Sequence, residues 1–276
     1  MLTDHERQIE QIDPLIFALQ TQTTRLDRIS LLRLQRLVRR LNNAYCYLEV
    51  GSHLGGSLLP HLADSRCAWA ISIDPRPPVQ PDERGSDYAY EGNSTKRMIE
   101  ALRRYLPEES LRKLQTFDLD AATVPRSEVQ RPVQLAFIDG EHTDVAAFSD
   151  FLSVFPFLSD DAVVAYHDSD VVANAIQHAE RFLTYARVPF RTVFLPTHVA
   201  AIGLRRMGEA LISDAGEAAL DRETFLANAR EIRQNSLALE ALRRNKLALR
   251  TVLKVKVRAF VRNLRERIRP ARSFPS

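Results

Sequence analysis

The sequence predicts an α/β domain built on a mostly parallel sheet, with helices before it and a helical extension after it. Three observations support this fold class. Short apolar runs alternate with helical patterns between residues 45 and 206, as in sheets whose strands are connected by helices. Several of these runs end in acidic or histidine residues. Glycines follow the first run directly, where a strand would turn into a helix.

The chain of 276 residues divides into three parts by pattern. Residues 1–43 are predicted as an N-terminal helical segment with one interruption, because leucine and isoleucine recur at three- and four-residue spacings. Residues 44–206 are predicted as the sheet domain, with a long Pro-rich loop over 74–87 near the ligand crevice and a helix over 148–159. Residues 207–276 are predicted as a helical C-terminal extension.

Charge is distributed unevenly along the chain. Residues 241–276 contain twelve Lys or Arg and one acid, so this tail carries +11 and the remaining chain −8. Apolar residues at helical spacing lie between these cations. The tail therefore has three interpretations: packing on the body or on a second subunit, binding to an anionic membrane surface or acidic partner, and binding to nucleic acid. Nucleic acid is the least favoured, because no RNA-binding motif accompanies the cations.

The remaining composition indicates a globular protein of the cell interior. Cys46 and Cys67 are expected as buried reduced thiols, since a disulfide framework or zinc site would need more partners. No apolar run approaches the roughly 18 to 20 residues needed to span a bilayer. The polar N-terminus differs from a secretory signal. We expect a cytoplasmic location, with attachment to a membrane surface as the alternative.

The central motif is the stretch YCYLEVGSHLGGS, residues 45–57. An apolar run ends near Glu49 and then turns through Gly51, Gly55 and Gly56 into an apolar helical pattern. Such a turn, at the carboxyl end of a parallel strand, presents main-chain N–H groups to a crevice that accepts ligands. It fits neither a P-loop, because Ser57 replaces the lysine, nor a dinucleotide fingerprint, because His53 replaces the second glycine.

Asp74 ends the second apolar run, 23 residues after Gly51. A carboxylate at this place in an α/β sheet can accept hydrogen bonds from the two hydroxyls of a ribose. Asp118 and Asp120 follow a short third strand, where both can be solvated loop acids.

Two further runs end in side chains that can bind an ion or a proton. Asp139, Glu141 and His142 follow the run at 133–138, and His167 with Asp168 follows the run at 161–166. Adjacent parallel strands are about 5 Å apart, so these groups can converge. Asp139 and Asp168 could supply oxygens to a divalent cation, with His167 as a third ligand or as a partner behind them. The alternative is that the carboxylates shape the crevice without metal.

These four motifs, in their order, resemble the class I S-adenosylmethionine-dependent methyltransferases. Within that class they resemble small-molecule O-methyltransferases of the macrocin- and cephalosporin-tailoring type, over roughly residues 45 to 205. The resemblance implies a Rossmann-like sheet of seven strands and S-adenosyl-L-methionine as cofactor. It also offers a lid over the cofactor as an alternative role for the N-terminal helices. The cofactor-binding residues expected on this basis are Glu49, Gly51, Ser52, Gly55, Asp74, Asp118 and Asp139.

The resemblance also implies which residues act on the molecule that accepts the methyl group. Asp139, His167 and Asp168 match the positions at which cation-dependent members hold Mg²⁺, and Mn²⁺ or Fe²⁺ would suit the same mixed ligands. Such a cation would lower the pKa of an acceptor hydroxyl. Glu141 and His142 are the candidates for the general base: histidine has the better unperturbed pKa, and Glu141 has the family's precedent and is slightly preferred.

We therefore expect an enzyme that methylates a hydroxyl of a small molecule, such as a sugar or a glycosylated metabolite, with or without a divalent cation. Two alternatives are a degenerate methyltransferase fold that serves as a binding or scaffold module, and an RNA methyltransferase that uses the basic tail. The chain departs from the family pattern at Asp144, where an aromatic residue is usual, and at Asp161-Ala162, where two glycines are usual. The acceptor side is therefore less well defined than the cofactor side, and the sequence leaves the acceptor and the oligomeric state, monomer or homo-oligomer, open.

Overall fold

A seven-stranded sheet forms the centre of the computed structural model, which describes residues 3–19, 21–84, 87–238, 241–243 and 246. The strand order is β5-β2-β1-β6-β7-β9-β8. The seven strands are β1 Tyr45–Val50, β2 Cys67–Ile73, β5 Leu114–Phe117, β6 Val133–Ile138, β7 Leu158–Tyr166, β8 Phe190–Phe194 and β9 Ala200–Leu204. The expectation of a seven-stranded α/β sheet is confirmed.

The order of the strands creates the crevice that the sequence predicts. Strands β5, β2, β1, β6 and β7 are parallel, whereas β9 is antiparallel to both β7 and β8. Because the chain proceeds from β1 outward to β2 on one side and to β6 on the other, the order reverses at β1. Ligands bind at such a switch point, beyond the carboxyl ends of the strands.

The N-terminal segment contains two helices, α1 Asp4–Gln11 and α2 Arg25–Leu41. Each begins with a capping box, in which Thr3 or Thr24 accepts a hydrogen bond from the third helical N–H and the third residue reciprocates. The expected interruption is real and spans residues 12–24, where a left-handed residue and the 3₁₀ turn Pro14–Ile16 separate the helices.

The remaining helices lie between the strands or after them. They are α3 Leu58–Ala63, α4 Thr95–Leu102, α5 Glu108–Leu111, α6 Asp144–Val154, α7 Ala173–Tyr185 and α8 Arg206–Ala215. The expected helix over 148–159 was placed too late in the chain. It begins at Asp144 because Thr143 accepts a hydrogen bond from the N–H of Ala146, and β7 already begins at Leu158.

The Pro-rich loop over 74–87 lies at the carboxyl edge of the sheet. It carries a short ribbon of β3 Val79–Gln80 paired with β4 Tyr88–Ala89, which periodicity did not predict because each strand has two residues. The loop is also joined to the next one along the sheet edge, since the N–H of Glu83 donates to the carbonyl of His142 at 3.0 Å. This contact brings the loop over the ends of β6 and β7.

Side chains alternate along the strands into two hydrophobic cores. Tyr47 belongs to the core that packs under α1, α2, α3 and α8, whereas Leu48 belongs to the core under α6 and α7. Met207 and Leu211 of α8 lie in the first core. A further helix runs over 222–238, and its Phe225 stacks on Phe194 of β8 at 4.2 Å. The division between sheet domain and extension at residue 206 stays a prediction, and α8 beyond it packs on the sheet.

Cys46 and Cys67 are buried free thiols, as expected. Across the part of the chain that the structure describes, no helix has both the length and the apolar character required to cross a membrane. Most of the basic tail, 247–276, lies outside the described residues, so its interpretations stay predictions.

Candidate active site

The turn after β1 is built so that only glycine fits its first position. Gly51 has φ +87°, and its N–H donates to the carbonyl of Ile73 at 2.8 Å. A Cβ on Gly51 would lie 2.1 Å from the main-chain oxygen of Asp139. The main chain of β1 therefore passes directly against the end of β6, and this contact sets the floor of the cleft.

Glu49 lies buried beneath this turn. The hydroxyl of Ser57 donates to one of its oxygens, and the hydroxyl of Tyr47 donates to the other at 3.1 Å. Burial raises the pKa of Glu49 to about 8, with a further contribution from the charge of Asp139. The carboxyl group is thus predominantly protonated at neutral pH, which sequence inspection did not reveal.

Asp74 is buried at the end of β2 and faces the same cleft. Its carboxylate accepts hydrogen bonds from the N–H of His53 at 2.9 Å and from the N–H of Arg76 at 2.8 Å. The guanidinium of Arg76 also lies 3.1 Å from it and 3.1 Å from the hydroxyl of Ser52. Arg76 was missed by sequence reasoning, because an arginine in a Pro-rich loop gives no signal of burial.

The cleft is lined by five of the eleven predicted site residues, which are Gly51, Ser52, Asp74, Asp139 and His142. It is also lined by the N-terminal segment, by the Pro-rich loop and by the segment that follows β4, through Thr21, Gln22, Thr23, Gln80, Tyr90 and Asn93. Residues 21–23 belong to the connection between α1 and α2, and the lid role of the N-terminal helices stays a prediction.

Asp118 and Glu141 do not line this cleft. Asp118 is 56% exposed and accepts a hydrogen bond from the hydroxyl of Thr95. Glu141 lines a neighbouring cleft together with Asp120 and Asp150, and it accepts a hydrogen bond from Thr143 at 2.8 Å. Burial, with the nearby charges of Asp120 and Glu141, raises the pKa of Asp150 to about 7. Asp120 was expected only as a solvated loop acid, and Asp150 was not predicted from the sequence.

His167 lies among three carboxylates. Its Nδ1 is 3.1 Å from an oxygen of Asp139 and 3.4 Å from an oxygen of Asp168, and its Nε2 is 3.5 Å from an oxygen of Asp27. Burial would lower the pKa of His167, but the charge of Asp139 and the hydrogen bonds to the carboxylates outweigh it and raise this pKa well above the usual value. Asp27 belongs to α2, so no local motif pointed to it.

His142 lies between Asp168 and one further carboxylate, Asp82. Its Nδ1 lies 2.8 Å from Asp82 and its Nε2 lies 3.1 Å from Asp168. Burial would lower the pKa of His142, yet the hydrogen bond to Asp82 and the charge of Asp168 raise it. The Pro-rich loop thus supplies a partner that fixes the ring of a predicted catalytic residue.

Arg84 contacts the same two carboxylates that flank His142. Its guanidinium donates to Asp82 at 2.6 Å and to Asp168 at 2.9 Å, and it lies over the ring of Tyr88 at 5.5 Å. The hydrogen bonds to Asp82, with the charges of Asp168 and Asp82, outweigh burial and raise the pKa of Arg84 above its ordinary value. Like Arg76, it was not anticipated from the sequence.

One grouping within the site has the spacing of a cation site. Ligand atoms of Asp139, His142 and Asp168 all lie within 4.8 Å of one another. A second grouping of the same kind shares Asp168 and adds Asp170 and His198. The set expected from the sequence had His167 in place of His142. In the structure His167 lies against both predicted carboxylate ligands, and the ring that joins them in a cation-sized group is His142.

Comparison with known proteins gives a family match. Residues 48–169 match a family model described as a methyltransferase domain. The match covers less than half of the chain. Together with the seven-stranded sheet order and the glycine turn, it supports a SAM-dependent methyltransferase. No curated protein matches the chain.

Three solved structures align with much of this chain. The O-methyltransferase NovP aligns over 64% of this chain and 80% of its own, with 13% identity and a TM-score of 0.51. The calicheamicin methyltransferase CalS11 aligns over 74% and 94%, with 18% identity and a TM-score of 0.48. TomG from Streptomyces achromogenes, an O-methyltransferase in complex with SAM, aligns over 74% and 90%, with 15% identity and a TM-score of 0.43. At such identity the likeness to NovP shows the fold alone.

Proposed function

We propose that the protein transfers a methyl group from S-adenosylmethionine to a hydroxyl of a small molecule, such as a sugar or a glycosylated metabolite. One observation carries this proposal: Asp139 and His142 line the same cleft as the glycine turn and Asp74. A nucleotide-type cofactor bound at the turn would therefore have proton-accepting and anionic side chains directly beside it. That juxtaposition is what methylation of a hydroxyl requires, because the hydroxyl must lose a proton as it attacks.

The cofactor side uses the main chain more than side chains. The turn at Gly51 and Ser52 would approach the amino-acid part of the cofactor, with Glu49 beneath it. Asp74 would accept the ribose hydroxyls, since its carboxylate lines the cleft and its hydrogen bonds to two main-chain N–H groups fix its orientation. Holding the sulfonium and the attacking oxygen in line is the main catalytic task, because the methyl group is already activated.

On the acceptor side, His142 is the better placed of the two candidate bases. With Nδ1–H donating to Asp82, the neutral ring presents Nε2 toward Asp168 and the cleft. That nitrogen can take the acceptor's proton, and the carboxylate of Asp168 then stabilises the imidazolium. Glu141, which was slightly preferred on the sequence, lines the neighbouring cleft instead.

The donor set fits a divalent cation by chemistry and spacing. Asp139 and Asp168 would offer carboxylate oxygens and His142 a ring nitrogen, the ligands that Mn²⁺, Fe²⁺ or Mg²⁺ accept. When bound, the cation would lower the pKa of an acceptor hydroxyl. The Nε2 atom cannot both ligate an ion and take a proton, so His142 acts as the base only where it is not a ligand.

The decisive test is calorimetric titration of the purified protein with S-adenosylhomocysteine, once with Mg²⁺ and once with chelator. We expect micromolar binding in both conditions, because the residues assigned to the cofactor are separate from most of those assigned to the cation. A screen of hydroxylated acceptors with and without metal would then identify the class of acceptor. Absence of binding in both conditions would overturn the proposal and favour the scaffold alternative.

A further inference from the structure

The carboxylates of Asp82 and Asp168 beside the cleft are already paired with a positively charged side chain, that of Arg84. Arg84 donates to Asp168 at 2.9 Å, and it binds Asp82 through both Nε and Nη2, at 2.9 Å and 2.6 Å. The side chains of Asp82 and Asp168 are 0% and 7% exposed, so their charges are largely removed from water. A buried carboxylate needs such a partner, because an unpaired buried charge is costly.

The position of Arg84 is determined by the main chain around it. Asp82 pairs with His142 in an isolated bridge, and the N–H of Glu83 donates to the carbonyl of His142. The N–H of Asp144 in turn donates to the side chain of Glu83 at 2.9 Å. These contacts fix the main chain of residues 82–84 against the loop after β6. The side chain of Arg84 therefore extends toward Asp168 from a main chain that is held in place.

Arg84 and a divalent cation would share the carboxylate of Asp168. Asp168 belongs to both groupings with cation-site spacing, and one of its oxygens accepts from Arg84 while the other lies 3.1 Å from His142. Both oxygens of Asp168 are therefore engaged by groups of this chain. A guanidinium and a metal ion on one carboxylate repel each other, since the interior screens charge less than water does.

We propose that Arg84 is a built-in cation that competes with a divalent metal ion for Asp168, so that metal binds there only after the Arg84 side chain leaves. The inference deepens the proposed function and rests on the cation site described there. It assigns the Pro-rich loop a regulatory role: the loop that borders the cofactor cleft also controls the charge of the acceptor side. A ligand that draws Arg84 away, such as an anionic group on an acceptor, would thereby open the site to metal.

The experiment compares Mn²⁺ affinities of full-length variants by electron paramagnetic resonance of the free ion. Arg84→Gln removes the charge with little loss of volume, and Arg84→Lys retains a cation. We expect Arg84→Gln to bind one Mn²⁺ about 10- to 100-fold more tightly than the unsubstituted protein, the range that loss of one charged hydrogen-bond partner implies. Arg84→Lys should bind Mn²⁺ about as weakly as the unsubstituted protein.

Two controls tie the signal to this site. The matched control is Arg103→Gln, which removes an exposed arginine paired with Glu108 and should not change Mn²⁺ affinity. Adding Asp168→Asn to Arg84→Gln should abolish the tightened binding. Equal affinities of the unsubstituted protein and Arg84→Gln, or tightened binding that survives Asp168→Asn, would overturn the inference. Melting curves of each variant verify folding, and should Arg84→Gln unfold, Arg84→Ala replaces it.

The result of the Mn²⁺ experiment can be interpreted independently of the test of the proposed function. S-adenosylhomocysteine is titrated into the unsubstituted protein in a parallel experiment. If it does not bind, the methyltransferase proposal fails, while the ratio of Mn²⁺ affinities still decides whether Arg84 competes with a metal ion. If it binds and the ratio is one, only the inference on Arg84 fails.

Discussion

Gly51 and the main-chain oxygen of Asp139 are in such close contact that a Cβ on Gly51 would lie 2.1 Å from that oxygen. The glycine turn and the loop that carries His142 are thereby held together at the switch point of the sheet. Gly51→Ala should consequently push β1 and β6 apart. Because Gly51 also has φ +87°, the substitution carries a conformational cost as well as a steric one.

We expect Gly51→Ala to lower the free energy of unfolding by roughly 3 kcal/mol and to abolish binding of S-adenosylhomocysteine. Gly216→Ala is the matched control: Gly216 also has positive φ, but a Cβ there would meet no atom of the described residues within 4 Å. Chemical denaturation of both variants provides the comparison. Similar losses in the two variants would show that φ alone, and not contact with Asp139, makes glycine necessary at 51.

Asp74→Ala should abolish cofactor binding while the sheet remains folded. The carboxylate lines the cleft and would accept the ribose hydroxyls, a role that the methyl group of alanine cannot perform. Calorimetry with S-adenosylhomocysteine measures the loss, and Glu100→Ala on the exposed face of α4 serves as control. Unchanged affinity in Asp74→Ala would remove the ribose assignment.

Glu49 should make stability depend on pH in a defined direction. Its pKa is raised to about 8 in the folded protein, against 4.5 for an ordinary glutamate. The folded protein therefore retains a proton between pH 4.5 and 8 that the unfolded chain releases, and the stability linked to Glu49 falls as pH rises through this window. Glutamine at this position stays neutral at every pH.

The stability of Glu49→Gln relative to the unsubstituted protein should consequently rise between about pH 5 and pH 8, by at most about 1.4 kcal/mol per pH unit, and then level off. Denaturation at a series of pH values measures this difference. Glu100→Gln, an exposed substitution, should show no such trend. A flat difference for Glu49→Gln would mean that Glu49 is ionised in the folded protein.

The sequence predicted the sheet well because its signals are local. The apolar run at 45–50 and the glycines after it identify β1 and its turn, and each later run ending in an acid identifies a strand end. What it could not predict depends on contacts between distant segments. Arg84 contacts Asp168 across 84 positions of the chain, and Asp27 contacts His167 across 140. No local sequence pattern predicts such partners for an arginine in a Pro-rich loop or for an aspartate in an amphipathic helix.

The same limit explains why the predicted cation-site group contains His167, whereas the group with cation-site spacing in the structure contains His142. Both follow strands and both are close in sequence to acidic residues, so pattern alone could not predict which of them lies at cation-site spacing with Asp139 and Asp168. The difference comes from Asp27, which lies 3.5 Å from Nε2 of His167, and from Asp82, which lies 2.8 Å from Nδ1 of His142. Each histidine is directed by a carboxylate from a different part of the fold.

Asp27 should be a large contributor to stability, because it joins α2 to the end of the sheet. It is fully buried and accepts hydrogen bonds from the N–H of His198 at 3.0 Å and from the hydroxyl of Thr197, in addition to its contact with His167. Removing it leaves buried donors without an acceptor and a buried histidine without one of its carboxylates.

We expect Asp27→Ala to cost roughly 3 to 5 kcal/mol of folding free energy, the range for loss of one member of a buried charged pair. Hydrogen exchange should increase at 24–28 and 197–199 before it increases elsewhere, since these are the segments that Asp27 joins. Asp4→Ala is the control: Asp4 pairs with Arg7 on the exposed surface of α1, and its loss should cost at most about 1 kcal/mol. If Asp27→Ala and Asp4→Ala melt alike, α2 is held to the sheet by its apolar face and the carboxylate at 27 serves only to cap the helix.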